Sequence, residues 1–212
     1  MQVRPTARLK AKRSPLAEKG SVKAVFGLGN PGRTYALTRH NVGFEVIDLY
    51  RKVHDLGGKG RIESSALLFS SGGLLLVKPM TFMNESGLAV RGVLSKYDIC
   101  PADALIVYDD LDLPMGKVKI LGAGGAGTHK GMGSILDALN TEAIPRLKIG
   151  IEVAQRTKTG RDFVLDRFTP KEWLQVLPAL ETAVEAIDLF RSTGIDAVMT
   201  RFNRRAGSVV EP

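Results

Sequence analysis

Two of the chain's three histidines, His40 and His129, stand in polar stretches, and other such stretches hold Asn30, Asn41, Asn84, Asp109, Asp110 and Asp112. Imidazole titrates nearest neutrality, so it suits a general base. A carboxylate on its second ring nitrogen fixes the tautomer and stabilises the imidazolium. Carboxamides can donate to a substrate carbonyl, or to the oxyanion it becomes. With water as nucleophile, this set describes metal-free hydrolysis of an ester or amide. Other chemistries lack their parts. The single cysteine, Cys100, precedes Pro101 with no activating neighbour. There is no G-x-S-x-G elbow, and no pair of histidines at i, i+4 to suggest zinc.

Such residues act only if the fold gathers them. The spacing predicts a flexible tail over 1–21, broken by Pro5 and Pro15, a domain over 22–205 and a short tail over 206–212. Apolar runs predict buried strands over Val22–Leu28 and Ala104–Tyr108, with shorter strands over Lys117–Leu121 and Arg146–Val153. Ser65–Ser70 and Leu74–Lys78 flank Ser71-Gly72-Gly73, which reads as a hairpin. Helical spacing covers Asn41–Leu56, the stretch after Thr81 and Lys130–Leu139. Residues 171–192 read as one long helix or a pair interrupted at Pro178, with a last short helix after Gly194. Strands alternating with helices predict a single α/β domain. Its twisted, mixed but mostly parallel sheet would carry helices on both faces.

In such sheets ligands collect beyond the carboxyl ends of the strands. Asn30, Tyr35, Arg39, His40 and Asn41 follow the first strand; Met83 and Asn84 follow the hairpin. Asp109, Asp110 and Asp112 follow Ala104–Tyr108; a glycine-rich loop, Thr128, His129 and Lys130 follow Lys117–Leu121. If all these strands run parallel, the groups share one edge. Plainer roles compete. His40, Asn84 and His129 stand where a helix start takes a cap. Asp109 can be a turn former, with Asp110 or Asp112 as the true partner. His54 lies late in a helix, where it would complement the dipole or simply be exposed. Trp173 reads as core. Gly27-Leu-Gly-Asn-Pro-Gly32 fits G-x-G-x-x-G, but Arg33-Thr34-Tyr35 intervenes before the next helix and Asp48 sits inside it. A dinucleotide fingerprint needs neither, so these glycines are read as giving the backbone a tight turn.

Charge separates tail from body. The 212 residues carry a net charge of +8, of which residues 1–23 hold +6 and residues 24–212 only +2. The tail fits a nucleic-acid arm, a transit-like segment or solvated slack, and it lacks the apolar core of a secretory signal. One cysteine excludes an internal disulfide and fits a reducing compartment. No apolar run approaches the ~20 residues of a membrane span. Lys117 and Lys119 alternate along one strand and so project from one face; Arg146 and Lys148 alternate likewise and extend the basic patch. Phosphate contacts of this kind bind RNA without sequence preference, while edge lysines that merely block aggregation are the alternative.

Four blocks in order resemble bacterial peptidyl-tRNA hydrolases: Gly27–Gly32 with Tyr35 and Thr38-Arg-His-Asn-Val-Gly43; Lys78–Gly87; Tyr108–Pro114; and Gly124–Gly131. Phe202-Asn203 resembles the family's C-terminal end. The resemblance implies a single α/β domain that cleaves the ester joining a peptide to tRNA, recycling tRNA after premature release, without metal or cofactor. It implies that His40 activates water and Asp109 orients it, and that Asn30 and Asn84 hold the peptide main chain and the attacked carbonyl. Tyr35 and Met83 would shape the pocket. His129 and position 130 would meet the CCA end, and Lys117 and Lys119 the acceptor stem. A monomer in the bacterial cytoplasm is expected. The family's asparagine after His129 is here Lys130, which can hold phosphate as a point charge but cannot accept a hydrogen bond. A non-catalytic RNA-binding or splicing-support protein on the same fold, and an esterase for other acyl esters, are the competing readings.

Overall fold

The structure, a computed structural model, describes residues 22–154, 156 and 158–203. The predicted tails, 1–21 and 206–212, lie outside the described residues. The apolar run after Val22 forms β1 (Lys23–Gly27), and two 3-10 turns lead to helix α1 (Val42–Val53). A meander follows: β2 (Arg61–Glu63), β3 (Ala66–Ser71) and β4 (Leu74–Pro79). Helix α2 (Ser86–Tyr97) returns the chain to β5 (Ala104–Pro114) and β6 (Val118–Leu121). Then come α3 (Lys130–Leu139), β7 (Arg146–Glu152), α4 (Gly160–Leu165), α5 (Pro170–Thr193) and α6 (Ile195–Asn203).

The seven strands form one sheet in the order β2-β3-β4-β1-β5-β7-β6. β4, β1, β5 and β7 run parallel, while β2, β3 and β6 each pair antiparallel with a neighbour. Alternation divides the strand residues between two cores. Val25, Leu105, Val107, Leu147 and Ile149 meet α1, α5 and α6 on one face. Ala24, Phe26, Ile106 and Tyr108 meet α2 and α3 on the other. The expected mixed sheet with helices on both faces is therefore present.

Two strands depart from the sequence reading, and the alternative left open for α5 is decided. β6 runs antiparallel to β7, with Leu121 beside Arg146, so its carboxyl end lies at the edge away from the predicted cleft. β5 continues past Tyr108 to Pro114, and its shift in register falls between Asp110 and Pro114, where the Asp110 side chain accepts from the Asp112 N–H. Helix α5 is unbroken at Pro178, because that residue is exposed while Val176, Ala179, Leu180, Ala183 and Ile187 keep a continuous buried stripe. The carbonyl one turn back is that of Leu174, itself exposed, so the bond proline cannot make is left on the wet side. At the far end, Asn203 pairs its carboxamide with the backbone N–H and C=O of Ile120, tying α6 to β6.

The glycines after β1 serve close approach more than turning. A Cβ on Gly27 would fall on the backbone of Gly43, and one on Gly43 would fall on that of Leu28 and Val107. This mutual contact seats the first turn of α1 directly on β1 and β5. Gly32 alone of the G-x-G-x-x-G set takes a positive φ, 103°. Gly43→Ala is expected to destabilise the fold by about 1–3 kcal/mol through overpacking. A lowered midpoint in urea unfolding, with unchanged slope, is the measurement that checks it.

Candidate active site

Alternation along β5 places Asp109 on the same face as Leu105 and Val107, the face that α1 covers. His40 lies in the 3-10 turn Arg39–Asn41 that opens α1. The two meet: His40 Nδ1 lies 2.8 Å from Asp109 Oδ1 and 3.0 Å from Oδ2. Because a carboxylate only accepts, Nδ1 carries the hydrogen and Nε2 keeps its lone pair for the cleft. Burial disfavours a charged His40, yet the charge and hydrogen bond of Asp109 outweigh it and hold the imidazole above its ordinary value of 6.5. Asp109 is itself fully buried, which opposes ionisation, but His40 and His129 keep its carboxyl well below the usual carboxylate range.

His129 fills the capping role weighed for it and also meets Asp109, a partner its position in the sequence did not suggest. Its Nδ1 accepts the Met132 N–H at 3.1 Å as the N-cap of α3, and its Nε2 lies 3.2 Å from Asp109 Oδ1. The cap requires an unprotonated Nδ1, so Nε2 bears the hydrogen and donates to the carboxylate. His40, His129 and Asp109 offer three ligand atoms within 4.8 Å of one another, a grouping that resembles a metal site. A metal on Nε2 of His129 would move its hydrogen to Nδ1 and break the cap of α3. The residues fit two shared hydrogens better than an ion.

The Asn30 carboxamide is disposed as a donor. Asn30 Oδ1 accepts the Met83 N–H at 2.8 Å, which turns its amide nitrogen towards the cleft. The turn is stapled by Asn41, whose Oδ1 accepts the Asn30 N–H at 2.8 Å and whose Nδ2 donates to the Asn30 carbonyl at 3.0 Å. Asn84 lies exposed in a 3-10 turn on the cleft rim and is not the N-cap of α2, which is Glu85. Met83 is buried beneath it, so close to Gly131 of α3 that a Cβ there would strike its sulfur. Tyr35 meets Phe82 edge-on at 6.4 Å between ring centres.

These groups line a cleft of about 740 Å³. Val164 and Leu165 of α4, an element the spacing did not reveal, form part of its wall, and Arg156 and Arg161 add charge. Lys130 is exposed in the first turn of α3. Lys148 reaches the cleft and pairs with Asp110 at 2.7 Å, so Asp110 is occupied while Asp109 serves the histidines. Lys117 and Lys119 are exposed as expected, and Lys119 stands directly opposite Lys148 across the β6–β7 pair. Arg146 is a correction. It shares a face with Lys148, but the glycine loop covers it and leaves it 0% exposed, so it is no part of a basic surface.

Arg39 stands beside His40. Its guanidinium pairs with Glu172 at 2.7 Å, donates to the Phe163 carbonyl at 3.2 Å and lies 4.1 Å from the Phe163 ring centre. Its backbone N–H bonds the Asp166 carbonyl at 3.0 Å. The residue preceding His40 is thus clasped by α4 and α5. A functional signal for Arg39 and Asn41 existed only in their adjacency to His40. Elsewhere, His54 terminates α1 and lies between the Tyr50 carbonyl and Asp188, away from the cleft. Trp173 packs against Phe168 at the core margin, as expected.

Comparison with known proteins agrees with this fold. A family model described as peptidyl-tRNA hydrolase matches residues 24–209. A peptidyl-tRNA hydrolase of Carboxydothermus hydrogenoformans is 43% identical over 192 residues, covering 85% of this chain and 97% of that protein. One from Lactiplantibacillus plantarum is 41% identical over 186 residues, covering 86% of this chain and all of that protein. The crystal structure of peptidyl-tRNA hydrolase from Acinetobacter baumannii superposes with a TM-score of 0.79 at 28% identity, covering 86% of this chain and 94% of that one. Since relatives at this identity align over nearly their whole length, the chain belongs to the peptidyl-tRNA hydrolase family.

Proposed function

We propose that this chain hydrolyses the ester between peptide and tRNA in peptidyl-tRNA, with His40 as the general base. The observation that carries the reading is the hydrogen bond from His40 Nδ1 to a buried, ionised Asp109, which leaves Nε2 free over the cleft. Nε2 takes a proton from water as the water oxygen attacks the ester carbonyl carbon. The carbonyl becomes an oxyanion, and the amide hydrogens of Asn30 and Asn84 stabilise it. When the intermediate collapses, the carbon–ribose oxygen bond breaks and the departing oxygen takes the proton from the His40 imidazolium. Asp109 steadies the charged imidazole throughout. Tyr35, Met83 and Phe82 border the peptide side of the cleft.

The tRNA side is basic. Lys130, Lys148, Lys117 and Lys119 are suited to phosphates of the acceptor stem and CCA end, with His129 holding Asp109 beside them. Lys119 stands opposite Lys148, whose charge Asp110 partly offsets, so the two lysines put positive charge at one place on the sheet. A monomer in the cytoplasm is the state we expect for an enzyme acting on this substrate. Among the described residues no helix is long and apolar enough to cross a membrane. A non-catalytic RNA binder would not need the His40–Asp109 geometry.

Discharge of N-acetyl-aminoacyl-tRNA tests the reading. The native chain should cleave it in the presence of a chelator, and His40→Ala should lose at least ~10²-fold in kcat/KM. Cleavage undiminished in His40→Ala would overturn the assignment. Because the base works unprotonated and Asp109 raises its pKa, kcat/KM should climb with pH along a limb centred above 6.5. Asp109→Asn leaves burial as the main influence, so the surviving activity should show that limb at lower pH. For binding, Lys130→Ala should reduce the slope of log Kd against log salt by roughly 1, as loss of one phosphate contact requires. An unchanged slope would remove Lys130 from the RNA contact.

A further inference from the structure

Arg146, excluded above from the basic surface, has a different part. It opens β7 and is among the largest side chains with no exposure. Its Nη1 donates to the Gly125 carbonyl at 2.9 Å, its Nη2 to the Glu142 carbonyl at 3.1 Å and its Nε to the Ile144 carbonyl at 3.4 Å. All three partners are backbone carbonyls. A buried cation held without a carboxylate is a costly choice where only packing is wanted, since an apolar side chain of similar size would serve. What the guanidinium supplies is a planar fork that reaches two chain segments at once.

Those segments bracket His129. Because β6 runs antiparallel, the chain leaves the sheet at Leu121, beside Arg146, at the wrong edge for catalysis. It must cross back through residues 122–129 to bring His129 to Asp109. That crossing has no regular structure and includes Gly124 and Gly127 at positive φ, 139° and 59°. Arg146 holds it at Gly125, and the Gly124 N–H bonds the same Glu142 carbonyl at 3.1 Å. The stretch after α3 is tied at Glu142 and Ile144 by the same side chain. Tyr108, next to Asp109 on β5, packs its ring against His129 at 4.6 Å between centres.

We propose that Arg146 is a positioning residue for the reaction: its guanidinium pins the glycine loop and the exit of α3 to β7, and so fixes where His129 meets Asp109. The inference rests on the functional reading above, and its tests include one that needs no activity. In the native chain the Gly124 amide should exchange with deuterium far more slowly than a free loop allows, and Arg146→Lys, which cannot span both segments, should speed it at least ~10-fold. In kinetics on N-acetyl-aminoacyl-tRNA, Arg146→Lys and Arg146→Met should lower kcat by about 10- to 100-fold, the scale of a misplaced catalytic set, with KM little changed. Combined with His129→Ala, either should add almost nothing to the loss from His129→Ala alone. Losses that multiply, a fall confined to the thermal midpoint, or a change in KM alone would overturn the proposal. So would loop-like exchange at Gly124 in the native chain, which decides the matter even if Arg146→Met fails to fold. If the native chain leaves the ester intact while exchange at Gly124 is slow, the tether stands and the functional reading falls.

Discussion

One buried carboxylate organises this molecule. Asp109 accepts from two imidazoles, and these donors are what let it stay ionised while buried. The donors are opposite tautomers: His40 offers Nδ1–H and His129 offers Nε2–H. Each choice has a cause. His129 is fixed by the helix it caps, and His40 by the carboxylate it faces. The chemistry follows, because the one nitrogen lone pair left without a hydrogen-bond partner in this cluster is Nε2 of His40, at the cleft.

Three parts of the chain must be brought together within hydrogen-bonding distance for this to hold. β5 contributes Asp109 inside a strand, where adjacent backbone bonds fix its position. The turn that opens α1 contributes His40, and the Gly27–Gly43 contact sets how near that helix lies to β5. Arg39 then anchors the turn to Glu172 and Phe163 on the outer side. α3 contributes His129 through a loop with little structure of its own, which is why a side chain on β7 has to hold it. Rigid elements set the base and its partner, and a tethered loop brings the second donor.

Much of this was legible in the residues. Continuous apolar runs identify parallel strands buried on both faces, and the polar residues after them point to one edge. That rule gathers His40, Asn30, Asn84 and the three aspartates without choosing among Asp109, Asp110 and Asp112, a choice that came from the resemblance; Asp109 lies within β5 because the strand runs on to Pro114. The direction of β6 was not legible, since a short strand pairs either way and only its contact with β7 decides. The burial of Arg146 was not legible for a related reason. Alternation gives the face of a strand but not what covers that face, and a glycine loop has no pattern that announces where it lies. β2 is short and exposed, and α4 is a six-residue helix, so neither had enough periodicity to stand out. Asn41 and Arg39 act through backbone atoms and distant partners, which a local reading cannot see.

The most direct measurement is of the histidine tautomers by 15N NMR, in the native chain and at a pH above the titration of His40. The account predicts hydrogen on Nδ1 of His40 and on Nε2 of His129, each with a downfield proton that shifts when Asp109 is replaced by Asn. Hydrogen on Nε2 of His40 would leave no lone pair facing the cleft, and the general-base account of this site would be contradicted.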